Sequence, residues 1–207
     1  MAIPTSDLPG HSGLKDRVYA ALDTCVESQS VDFKESATWG VLQHKIIRTS
    51  LAMANLRDGG ILVIGASESG DQWDLTGIAA GDLSTYDVDD MIDAVHKFAS
   101  PAVGLAVVLV PYRNGRKFLA IQAFEFVDTP IVCRRDGPPG SGLRQGAVYV
   151  RPPGVARTTE VRSADQMHDL LELAAEKRAR RILETARRLG LETMPAKKPF
   201  DDELGGL

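Results

Sequence analysis

The chain has 207 residues, of which 43% are hydrophobic and 25% charged, enough apolar material for one sizeable core and the size of a single domain. The net charge of -4 hides an asymmetry, since residues 1–100 hold 7 Lys and Arg against 15 Asp and Glu, whereas residues 101–207 hold 17 against 13. No run of about eighteen apolar residues occurs, and the first thirteen residues mix Pro, Ser, Asp and Gly, which excludes a membrane span or a secretory signal and makes a cytoplasmic location the default expectation.

Residues 1–13 read as a flexible start, followed by one folded domain over 14–162. Leu14, Val18, Ala21, Leu22 and Cys25 recur at helical spacing and predict a first helix ending near Glu27. Val31 and Phe33 predict one face of a short strand, which puts Asp32 and Lys34 together on the other face. Val41 to Asn55 predicts a second helix, stopped by the Asn and Gly chemistry of Asn55 to Gly60. Four successive aliphatic residues, Ile61 to Ile64, then predict a strand covered on both faces near the middle of a sheet.

Asp71 to Gly77 reads as a hairpin or loop, and Asp87 to Phe98 as a helix whose acidic start suits its dipole. Gly104 to Pro111 and Lys117 to Phe126, joined through Arg113-Asn114-Gly115, give the clearest hairpin signal. Ile131 to Arg134 and Val148 to Arg151 predict short strands around a Gly- and Pro-rich loop, Asp136 to Gly146, expected to be mobile. Ser163 opens a helix with a capping box to Gln166, and the helical segment is assigned to 163–190. It can pack on its own domain, on a second copy, or on nucleic acid through Lys177, Arg178, Arg180 and Arg181. Residues 191–207 read as a disordered tail. The sum is an α+β fold, a mixed β-sheet with packed helices and a long C-terminal helix.

Three chemistries are disfavoured by motif. Cys25 and Cys133 have no close partner and the four histidines are scattered, so no zinc site is visible and the thiols are expected to be reduced and buried. Gly65-Ala66-Ser67-Glu68-Ser69 lacks the final glycine of a nucleophile elbow. No Gly-x-x-x-x-Gly-Lys-Ser/Thr exists, so there is no P-loop nucleotide site. The carboxylate-ammonium pair Asp32 and Lys34 has two readings, metal-and-phosphate chemistry or a solvent-facing pair that keeps a strand soluble.

The ordered block Asp32-Phe33-Lys34, Ala52 to Asn55, Gly59-Gly60, Ile61 to Glu68 and, much later, Tyr149-Val150-Arg151-Pro152-Pro153-Gly154 resembles the Schlafen AlbA_2 domain family, from about Glu27 to Asp165. That resemblance implies a nucleic-acid-binding module. By alignment with nuclease-active Schlafen proteins, Glu27, Asp32 and Glu68 match three acids that would hold Mg²⁺ or Mn²⁺, with Lys34 steadying the phosphate or the nucleophile. The implied activity is a metal-dependent endoribonuclease acting on structured RNA such as tRNA, RNA being favoured over DNA, with a toxin or defence role. The alternatives are a non-catalytic DNA- or RNA-binding or regulatory module, or a structural subunit of a larger assembly. Phosphate contacts would come from Arg134, Arg135, Arg144, Arg151 and Arg157. Tyr149 and Trp39 have a core reading and a base-stacking reading. Because eukaryotic Schlafen cores pair two lobes, a homodimer through the C-terminal helix is the simplest way to rebuild a groove.

Overall fold

The structure, a computed structural model, describes residue 3 and residues 12–70 and 72–191. The expected flexible start and disordered tail fall almost wholly outside the described residues. In chain order the elements are α1 (Ser12–Thr24), β1 (Val31–Lys34), α2 (Trp39–Ala54), β2 (Gly60–Ile64), β3 (Ser67–Ser69), β4 (Gln72–Asp74), α3 (Ala80–Leu83), α4 (Val88–Phe98), β5 (Ala99–Ser100), β6 (Leu105–Pro111), β7 (Lys117–Ala123), β8 (Val132–Cys133), β9 (Tyr149–Val150), β10 (Thr159–Glu160) and α5 (Ala164–Arg188). Helix α1 stops short of Glu27 because Cys25 turns into the left-handed region, at φ 49°.

The main sheet has the order β1-β2-β7-β6, with β1 parallel to β2 and the other pairs antiparallel. It is the mixed sheet of an α+β fold. The two-residue period of β2 divides it between layers: Ile61 and Val63 pack with Leu14, Val18 and Leu22 of α1, while Leu62 and Ile64 pack with Leu42 and Ile46 of α2 and Met91 of α4. All five β2 residues are buried, as an interior strand covered on both faces requires. Helix α2 has a second apolar side, where Ile47, Leu51 and Met53 meet Cys133, Tyr149 and the α5 residues Leu170 and Leu173. Sandwiched between the sheet and this second layer, α2 is the spine of the molecule.

The turn after α2 is fixed by two residues. Asn55 is 4% exposed; its side-chain amide donates to the carbonyls of Ile131 and Tyr149 at 2.9 and 3.0 Å, and its side-chain oxygen accepts from Ile131 N–H at 2.7 Å. It therefore does the work of a short strand, joining the helix end to the β8 and β9 segments. Gly59 has φ 64°, and a Cβ there would lie 2.1 Å from the carbonyl oxygen of Ala123, so only glycine fits.

The Asp136–Gly146 loop corrects an expectation of mobility drawn from its Gly and Pro content. Leu143 is buried, Gly137 N–H donates to Leu143 O at 2.9 Å, Gly146 N–H donates to Cys133 O at 2.8 Å, and Gln145 N–H donates to the Asp136 carboxylate at 2.8 Å. At the centre the Tyr149 hydroxyl accepts from Arg144 N–H and donates to Gly142 O, both at 2.8 Å. The glycines serve turn geometry here, not freedom. Strand β3 and the short pieces α3, β5 and β10 carry too few residues to show a period in the sequence.

Candidate nucleic-acid interface

Strand β1 brings Asp32 and Lys34 together, but inside the protein. Asp32 is 3% exposed and its Oδ1 accepts from Nη1 of Arg151 at 3.0 Å, across 119 residues of sequence. Lys34 Nζ lies 2.5 Å from Asp32 Oδ2 and donates its aligned hydrogen bond to Phe33 O at 2.9 Å. Arg151, only 1% exposed, also donates through Nη2 to the carbonyls of Ser28 and Val31 at 2.9 and 3.3 Å. The two stretches that carried the resemblance, around Asp32-Phe33-Lys34 and Tyr149-Val150-Arg151, thus meet in one buried ion-pair network. Arg151 is corrected from a phosphate contact to a structural brace, because a guanidinium buried on a carboxylate cannot reach a ligand in solvent.

The three implied metal ligands are not gathered. Glu27, half-buried, accepts Phe33 N–H on Oε1 at 2.9 Å, Asp32 is held by Arg151 and Lys34, and Glu68 is exposed on β3 opposite Trp73. Among the described residues no group of three or more His, Cys, Asp or Glu side chains is placed to hold a metal ion. A Mg²⁺ or Mn²⁺ site needs several oxygen donors converging at about 2.0–2.6 Å. The residues present do not fit one, since the most buried candidate already faces two cations.

The remaining arginines behave differently. Arg134, Arg135, Arg144 and Arg157 are all exposed. Arg135 lies over the Phe98 ring at 5.3 Å, and His44 of α2 meets the same ring edge-on at 6.4 Å. Arg48, one helical turn beyond His44, reaches the ordered loop: a Cβ on Gly142, at φ 70°, would lie 2.3 Å from Arg48 Nη1, so the glycine makes room for the guanidinium. Arg48 Nε is buried without a hydrogen-bond partner. Arg144 pairs with Glu160 of β10 at 2.7 Å. That hydrogen bond holds the Glu160 carboxyl below its usual range and raises Arg144 further. Arg48 and Arg162 also act electrostatically on Glu160. The result is an arginine face built from α2, β8, the loop and β10, with Glu160 and Asp136 as its nearby acids. Arg157 sits on the exposed turn between β9 and β10.

Sequence reasoning missed Arg48, His44 and Arg162. The signal available was the polar i,i+4 pair His44 and Arg48, off the apolar stripe of a helix otherwise buried on two sides. Tyr149 takes its core reading: it is 2% exposed, with burial raising its hydroxyl pKa and both hydroxyl bonds made internally. Trp39 is half-buried at the start of α2, its ring 5.9 Å from that of Tyr86. Cys133 is buried, which pushes its thiol up, whereas Cys25 is only half-buried. Helix α5 packs on its own domain: Lys177 pairs with Glu125 at 2.8 Å, Arg181 pairs with Asp128, and Arg57 grips Glu176 through two bonds of 3.0 and 2.5 Å. Part of its basic face is therefore spent internally. No helix of the described chain is long and apolar enough to cross a membrane.

The family profile described as Schlafen, AlbA_2 matches residues 27–154, a span that holds the buried ion-pair network, the Asn55 junction and most of the arginine face. The chain belongs to the Schlafen AlbA_2 family. No curated protein sequence matches it. Among solved structures it is similar to the DIP2311 protein of Corynebacterium diphtheriae, at 18% identity and TM-score 0.48, covering 76% of this chain and 31% of that one. It is also similar to the N-terminal domain of an ATP-dependent DNA helicase RecG-related protein from Nitrosomonas europaea, at 18% identity and TM-score 0.45, covering 63% of this chain and 87% of that domain. The chain thus spans under a third of the first protein's length, and likenesses of this degree carry no functional weight.

Proposed function

We propose that this domain binds the phosphate backbone of nucleic acid through the arginine face and does not cut it. The observation that carries the reading is the placement of Arg48, Arg135 and Arg144 around the hydrogen-bonded Asp136–Gly146 loop, with Arg135 and Arg144 exposed. Arginine at a pre-ordered surface suits phosphate because its fork matches two oxygens at once and little side-chain freedom is lost on binding. Binding is favoured over cleavage because Glu27, Asp32 and Lys34 are occupied by internal partners. An endoribonuclease would require the three acids to share a metal. Structured RNA such as tRNA is the ligand that family resemblance implies, and a face that reads phosphates accepts single-stranded DNA as well.

The test is fluorescence anisotropy with labelled tRNA and single-stranded DNA across a salt series, beside Arg48→Ala and Arg144→Ala. Each substitution is expected to weaken binding about tenfold and to reduce the salt slope by about one. No binding to either nucleic acid at about 50 mM salt sinks the proposal. Cleavage of tRNA that requires Mn²⁺ and is lost in Glu27→Ala restores the nuclease reading instead.

A further inference from the structure

One carboxylate of the protein's own stands on the arginine face. Oε2 of Glu160 lies 2.7 Å from Nη2 of Arg144, and Oε1 lies 3.3 Å from Nε of the same guanidinium, so the carboxylate takes one whole side of the arginine fork. Tyr149 holds both partners. Its backbone pairs with Glu160 across the β9–β10 ladder, and its hydroxyl accepts Arg144 N–H at 2.8 Å. The same hydroxyl donates to the carbonyl of Gly142, the glycine that makes room for Arg48. After Arg144, the charges of Arg162 and Arg48 also act on Glu160. Asp136, the other acid of the face, is engaged differently, because its Oδ1 accepts Gln145 N–H and ties the loop.

A carboxylate and a phosphate each offer a guanidinium two oxygens at once. The side of Arg144 that would grip a phosphate is therefore already filled. We infer that Glu160 holds the place of one phosphate of the bound nucleic acid, and that Arg144 exchanges the carboxylate for that phosphate on binding. This rests on the phosphate-binding reading above and adds where one phosphate sits and what it displaces. The exchange needs only side-chain movement, since the Arg144 backbone is fixed at Tyr149 while its side chain is 64% exposed. An exposed pair of this kind is weak enough for a ligand to break. Glu160 thus lowers affinity without abolishing it, and keeps Arg144 paired when no ligand is present.

The test is a double-mutant cycle on the full chain, read by fluorescence anisotropy with labelled single-stranded DNA at about 50 mM salt. It compares wild type, Glu160→Gln, Arg144→Ala and the two combined. Glu160→Gln keeps the size of the side chain and is expected to tighten binding about fivefold. In the Arg144→Ala background the same substitution is expected to change affinity by less than about twofold, because no fork remains to be freed. A carboxylate that acted only through the general field of the face would give the same gain in both backgrounds, and that result overturns the inference. So does binding by wild type that Glu160→Gln leaves no tighter, an outcome that spares the phosphate-binding reading. Absence of binding by every protein of the cycle sinks that reading, and the inference with it.

Discussion

Arg144 and Arg151 stand seven positions apart in a basic stretch and look alike in the sequence, yet one is exposed beside a glycine loop and the other is 1% exposed against Asp32. The difference is set by what the intervening strand does. Tyr149 and Val150 enter the core as β9, and the residue that follows is drawn in with them, where it needs a carboxylate and finds Asp32. Arg144 precedes the strand, in a loop whose backbone is tied down and whose Leu143 is buried while Arg144 itself faces solvent. An arginine in such a chain is a buried brace or an exposed cation according to its distance from a buried strand, not according to local charge density.

That contrast breaks most sharply at Arg151. Arg151→Ala leaves Asp32 buried beside only Lys34 and is expected to cost about 3–5 kcal/mol in urea unfolding, whereas Arg151→Met with Asp32→Leu should recover most of the loss. Asn55→Ala strands the Ile131 N–H and the Ile131 and Tyr149 carbonyls, and should cost about 3 kcal/mol by the same measurement. Tyr149→Phe removes the hydroxyl that ties the arginine loop, for about 1–2 kcal/mol, and should speed hydrogen exchange at Arg144 N–H above all. Arg144→Ala should leave stability almost unchanged at neutral pH, because its pair with Glu160 is exposed to solvent. Its small effect has a pH signature. Glu160 has its folded pKa depressed, chiefly by Arg144, so its contribution is present above the unfolded value, about 4.3, and is lost as pH falls through the lower folded value. Unfolding curves of wild type and Arg144→Ala should therefore converge in acid.

The fold was legible where the period was long or the chemistry of a turn was specific. Ile61 to Ile64 read as an interior strand, Asn114-Gly115 as the turn of the β6–β7 hairpin, and Ser163 as the α5 cap, where its hydroxyl accepts Gln166 N–H at 3.2 Å. The family was legible too, because its motifs lie in order along the chain. The site was not. Asp32 and Lys34 were correctly placed side by side, but nothing local in sequence reveals that an arginine 119 residues away claims the same carboxylate. Arg48 was hidden for the opposite reason: it stands on a helix, and only folding sets that helix against Gly142. Composition misled at the loop, since Gly and Pro specify turn angles as readily as they permit motion.

Strand β1 forms one margin of the main sheet, and its outward backbone groups are the kind on which a foreign strand could build. Here most are already occupied. Glu27 takes the Phe33 N–H, Lys34 takes the Phe33 carbonyl, and Ser28 N–H with Arg151 takes the Val31 carbonyl. Residues whose types suggest a reaction centre thus act as a seal. They deny the edge to neighbouring chains, so the main sheet ends at β1 without offering a template for strand addition.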